Sequence, residues 1–66
     1  MQINKGDRVQ AIHDSERTLE GDFYFSANDQ GVVLDINQHG AWVQWDDNHL
    51  SDGIWHASFY NLKVIQ

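Results

Sequence analysis

Ten acidic residues and four histidines are the groups in this 66-residue chain that could hold a metal or move a proton. The densest gathering is Asp46, Asp47, His49, Asp52 and His56, all within residues 46–56. A metal site needs three or four ligands converging in tetrahedral or octahedral geometry, and this spacing follows no established ligand pattern. Asp46 and Asp47 precede Asn48, and side chains of this kind bond their own backbone and make turns. We therefore read them as turn formers and expect neither metal nor cofactor. His13 and His39 fall at strand ends or turns, where polar side chains satisfy loop backbone. Nucleophilic catalysis has no better footing. Ser15, Ser26, Ser51 and Ser58 lack the strand–turn–helix elbow that exposes a serine nucleophile, and the chain has no Cys. The glycines at 6, 21, 31, 40 and 53 are isolated, so no phosphate-cradling loop is present. The many carboxylates have no evident apolar site that would raise one pKa above the others. No enzymatic activity is expected.

The aromatic residues carry the other chemistry available, which is binding. Three Trp, two Tyr and three Phe are more than a thin core encloses, because a domain of this size buries only about 60% of its unfolded surface. Successive residues of a strand face opposite sides. If Val43 and Trp45 point inward, Trp42 points outward, and either Ile54 or Trp55 must do the same. Exposed Trp and Tyr give large contact area and one polar handle at low entropy cost. The candidate binding set is Trp42, Trp55, Phe23 and Tyr24 for contact area, with Asp46 and then Asp47 attracting a basic group. The same rings could surround a cation as an aromatic cage. The competing role for Trp42 is packing beneath the segment 13–30 as a satellite of the core.

The elements that must position these residues are strands. Residues 7–12 alternate, with Val9 and Ala11 on one face and Arg8 and Gln10 on the other. A long polar segment from His13 to Gln30 contains Asp14, Ser15, Gly21, Ser26 and Asn28, which disfavour helix and predict an irregular excursion. Phe23 and Phe25 share one face within it, Tyr24 takes the other, and these rings are expected to pin the loop. A second strand runs over 31–36, and Asn37-Gln38-His39-Gly40 is a turn. Residues 41–46 form a third strand with Ala41, Val43 and Trp45 toward the core. A fourth covers 53–57, residues 58–61 suit a single 3₁₀ turn, and 62–65 close the plan as a fifth strand.

Length and composition predict one domain over residues 1–66. Without Cys there are no disulfides or thiolate clips, which fits a reducing cytoplasm. Residues 1–5 lack the apolar core of a signal peptide, and no apolar run approaches the ~20 residues of a membrane span. We expect a soluble cytoplasmic protein. The formal net charge of −6 leaves only Lys5, Arg8, Arg17 and Lys63 as permanent cations. Phosphate-backbone binding draws its affinity from Lys and Arg displacing counterions, so direct nucleic-acid binding is not expected.

Gly6-Asp7-Arg8-Val9, Gly31-Val32-Val33, Val43-Gln44-Trp45-Asp46 and Asn61-Leu62-Lys63-Val64 together resemble the SH3-like small β-barrel superfamily, in particular its short bacterial and phage modules. A weaker similarity runs to the eukaryotic Mib/HERC type, whose glycine, valine and Trp-Asp skeleton the chain shares without its Asp/Gly-rich first loop. The opening strand is also similar to that of the type II dihydrofolate reductase protomers. Their pore motif Val-Gln-Ile-Tyr-Pro is replaced here by Ile54-Trp55-His56-Ala57-Ser58, so no catalytic residue carries over. The resemblance implies an all-β, SH3-like five-stranded small barrel with a long first loop and a 3₁₀ turn before the last strand. It further implies a non-catalytic protein-interaction module that takes a protein or peptide. The acidic residues would favour a basic one, and outward Trp on an incompletely closed barrel leaves monomer and homodimer both open. Two alternatives stand beside it. One is an acidic inhibitor or nucleic-acid mimic from a phage or mobile element, with the acids of 14–22 and 46–52 forming one face. The other is a small-molecule-binding oligomer.

Overall fold

The computed structural model describes residues 3–47 and 53–65. Five strands follow in order: β1 (Arg8–Ala11), β2 (Gln30–Ile36), β3 (Gly40–Trp45), β4 (Ile54–Ser58) and β5 (Leu62–Val64), with a 3₁₀ turn at Phe59–Asn61 between the last two. Every boundary lies within one residue of the position expected from alternation and turn residues. All pairings are antiparallel, and the strands lie side by side in the order β4-β3-β2-β1-β5. The sheet does not close. Its edges are β4 and β5, linked by the 3₁₀ turn rather than by a ladder of hydrogen bonds.

The inward faces follow the alternation read from the sequence. Val9 and Ala11 of β1, Val33 of β2, Ala41, Val43 and Trp45 of β3, Ala57 of β4 and Leu62 of β5 are buried together with Ile3 and Phe25. One departure from simple alternation lies in β2. The register with β3 shifts between Val33 and Asp35, so Leu34 is an extra, bulged residue. Continued alternation would have sent Asp35 inward after Val33. The bulge turns Asp35 to solvent and sets Ile36 opposite Ala41, packed against the core, which a buried carboxylate would otherwise disrupt. Outside, the Ile36 N–H donates to Asp35 Oδ1 at 2.9 Å, and Lys5 Nζ stands 3.5 Å away. That backbone donor first, and the Lys5 charge second, hold the Asp35 carboxyl below its usual range.

Two glycines let strands approach closely. A Cβ on Gly40 would lie 2.1 Å from the Ala57 carbonyl oxygen, and one on Gly31 would lie 2.5 Å from that of Gln44. Neither position has space for a side chain.

The excursion over residues 12–29 is more ordered than its composition suggests. At its base Ala11 N–H donates to the Asp29 carbonyl and Asn28 N–H to the Ala11 carbonyl. Near its middle the Ser15 hydroxyl oxygen accepts from the N–H groups of Tyr24 (2.8 Å) and Phe25 (3.2 Å). Arg17 and Phe23 form an isolated antiparallel bridge, and Gly21, at φ +91°, reverses the chain at the tip. The loop is a folded-back hairpin. Phe25 anchors it to the core, its ring stacked on Trp45 at 4.3 Å between centroids.

Candidate functional site: a groove along the β4 edge

Residue pairing decides which side each Trp occupies. Trp42 pairs with His56 and Val43 with Trp55 across the β3–β4 ladder, and directly opposed residues share a face. Val43 is buried, so Trp55 is on the inner face, while Ile54 and His56 take the outer face with Trp42. Trp42 is 43% exposed, and its one ring contact among the described residues is an edge-on approach to His56 at 5.2 Å. Such exposure sets aside the role of satellite core beneath the long loop. Trp55 is half-buried at the open seam of the sheet, covered by the Tyr24 ring at 4.6 Å. Its indole N–H is buried without a hydrogen-bond partner among the described residues.

Between the long loop and β4 lies a cavity of about 580 Å³. The loop wall presents Asp14, Glu16 and Tyr24, and the sheet wall presents Trp42, Trp55 and His56. Asp14 is held in place by accepting the Ala27 N–H at 2.8 Å. The His56 imidazole stands 3.2 Å from Asn37 Oδ1, the atom that also accepts the His39 and Gly40 N–H groups of the β2–β3 turn. No Lys or Arg lines the cavity. Two of the chain's cations are engaged elsewhere: Lys5 with Asp35, and Arg8 with Asp46 at 2.6 Å.

Of the six candidate binding residues, the structure brings together Trp42, Trp55 and Tyr24. Phe23 does not line the cavity, and the Arg17 guanidinium is 5.0 Å from its ring centroid. Asp46 and Asp47 lie beyond the far end of β3 and do not line the cavity. Four residues along a strand span roughly 13 Å, so Asp46 cannot supply charge beside Trp42. A closed aromatic cage is not formed either, because Tyr24 and Trp55 contact each other and leave no gap for a cation between them. Sequence reading missed Asp14, Glu16 and His56 as members of this site. The alternation that turned Trp42 outward could have found His56 once the β3–β4 register was set. Nothing local marked Asp14 and Glu16.

His49 and Asp52, members of the acidic and histidine gathering, lie outside the described residues. Among the described residues no group of three or more His, Asp or Glu is arranged to hold a metal ion, and no helix is long and apolar enough to cross a membrane. The chain matches no protein-family model, no curated protein and no solved structure.

Proposed function

We propose that this chain is a non-catalytic protein-interaction module of SH3-like plan that binds a basic protein or peptide segment in the groove between the long loop and β4. The plan is supported by a four-strand meander whose fifth strand returns to β1 after a 3₁₀ turn. The observation that carries the function is the composition of the groove: four aromatic rings (Tyr24, Phe25, Trp42 and Trp55) and two carboxylates, with no Lys or Arg among its lining residues. An exposed Trp face attracts a cation within about 6 Å of its centroid, by about 0.5–1 kcal/mol or more once water is excluded. Rim carboxylates raise the encounter rate with basic partners and suppress acidic ones.

Selection of random twelve-residue peptides on the immobilised protein tests the reading. Lys- or Arg-containing sequences should be enriched, and Trp42→Ala should weaken the synthesised winners at least tenfold, as expected of a ring at an interface centre. Asp14→Asn combined with Glu16→Gln should weaken them severalfold and flatten the salt dependence. Enrichment without basic residues, or binding indifferent to Trp42, would refute the proposal. Thermal melting of Trp42→Ala is the control, since loss of a ring this exposed should lower the midpoint by only a few degrees.

A further inference from the structure

The groove runs along a strand edge, and among the described residues no strand pairs with β4 on the side away from β3. Its lining includes residues from both faces of β4, with Ile54 and His56 from the outer face and Trp55 and Ala57 from the inner. One cavity can touch both faces of a strand only by wrapping its edge. Antiparallel neighbours alternate between pairs that exchange backbone hydrogen bonds and pairs that do not. Trp45 N–H donates to the Gly53 carbonyl at 2.9 Å, so in this ladder the bonded pairs are Trp45–Gly53, Val43–Trp55 and Ala41–Ala57. The main-chain N–H and C=O of His56, and the N–H of Ser58, therefore point away from β3 into the groove.

The two edges of the sheet are unlike. β5 is three residues long and carries Lys63 at its centre, both ordinary protections against unwanted strand pairing. β4 is five residues, Ile-Trp-His-Ala-Ser, with no Lys, Pro or bulge. A pairing-competent edge inside a groove is the geometry of strand addition, in which main-chain bonds give affinity and alternate side chains give specificity.

We infer that the module takes its partner as an extended basic strand added to the β4 edge, a mode of binding that rests on the interaction reading above. Charge selects this occupant over a second copy of the chain, because a second copy would bring another −6 against Asp14 and Glu16. Alternate residues of the added strand would face Trp55 and Tyr24 on one side and His56 and Trp42 on the other. The fitting pattern is therefore alternating apolar and basic residues, the basic ones drawn by the Asp14 and Glu16 rim.

The probe is the acetylated and amidated heptapeptide of alternating lysine and valine, Lys at both ends, titrated into the ¹⁵N-labelled protein. Two further versions carry N-methyl groups on the three valines or on the three inner and C-terminal lysines. Strand addition uses the N–H groups of one alternate set only. One methylated version should therefore lose at least tenfold in affinity while the other stays within about threefold. Amide exchange at His56 and Ser58 should slow severalfold on binding the parent peptide. Equal binding by all three versions, with shifts at Trp42, would overturn strand addition and leave the interaction reading standing. Absence of binding, or shifts that avoid the groove, would overturn both. Slow exchange at His56 and Ser58 without peptide, together with a concentration-dependent mass, would overturn the inference in favour of a second copy.

Discussion

Phe25 holds the long loop to the sheet, and its removal should be the most damaging single truncation in that loop. The residue is 3% exposed, and its ring stacks on Trp45, itself 1% exposed. A buried Phe removes about 150–250 Å² from water. At about 25 cal/mol per Å² that is roughly 4–6 kcal/mol, an upper bound because unfolded chains are already partly collapsed. Measured Phe→Ala costs of about 3–5 kcal/mol agree. A 66-residue domain at about 0.05–0.15 kcal/mol per residue has only roughly 3–10 kcal/mol in total. Phe25→Ala should thus take away a third or more of the stability. At about 4–8 °C per kcal/mol for a domain of this size, the thermal midpoint should fall by at least about 12 °C. Circular dichroism melting measures this, and Trp fluorescence should shift to the red as the loop and Tyr24 release Trp45 and Trp55. Phe25→Leu keeps most of the apolar volume without the stack, so it should lose roughly 1.5 kcal/mol. It serves as the readout if the alanine variant has no cooperative transition. A midpoint for Phe25→Ala within about 5 °C of the parent, or Phe25→Leu indistinguishable from it, would show that the loop is not anchored through this ring.

Gly40→Ala should lower the thermal midpoint by several degrees or more, because the new Cβ would fall 2.1 Å from the Ala57 carbonyl and overpacking of this kind costs about 1–3 kcal/mol; an unchanged midpoint would place the β3–β4 ladder wrongly. Ser15→Ala strips the acceptor from the Tyr24 and Phe25 N–H groups and should cost about 1–3 kcal/mol, with faster amide exchange at both positions; exchange unaltered at both would contradict the hairpin form of the loop. Asp35 titrates below its usual range in the folded state because of the Ile36 N–H and then Lys5. Its contribution is present above the unfolded carboxylate pKa and is lost as pH falls through the lower folded value. Acid titration of stability between about pH 5 and about pH 2 should be shallower for Asp35→Asn than for the parent, by a small and salt-sensitive margin given an exposed pair. A steeper acid slope in the variant would reverse that sign.

Legibility in the sequence tracked how local the responsible physics is. Ala41, Val43 and Trp45 announced β3 because alternation is a property of neighbouring residues, and Asn37 to Gly40 announced the turn because its hydrogen bonds close within four residues. The bulge at Leu34 left no such mark. It exists because the register with β3 must keep Asp35 out and Ile36 in, a condition set by a partner strand. The binding residues divide in the same way. Trp42 was turned outward by its own strand's alternation, whereas Phe23 and Asp46 were assigned to a common surface by type alone, and the fold sends them to Arg17 and Arg8.

From the chain alone came the strands, their inward residues, the 3₁₀ turn and a formal net charge of −6, since each follows from periodicity, turn chemistry or the residues themselves. Tertiary structure decided which distant groups meet. Ser15 folds the loop back on Tyr24 and Phe25, and Phe25 stacks that loop on Trp45. Asp14 and Glu16 are thereby carried across from β4, and a groove opens along a strand edge. Those contacts join residues from nine to about forty positions apart, and their geometry is set by packing that no local pattern encodes.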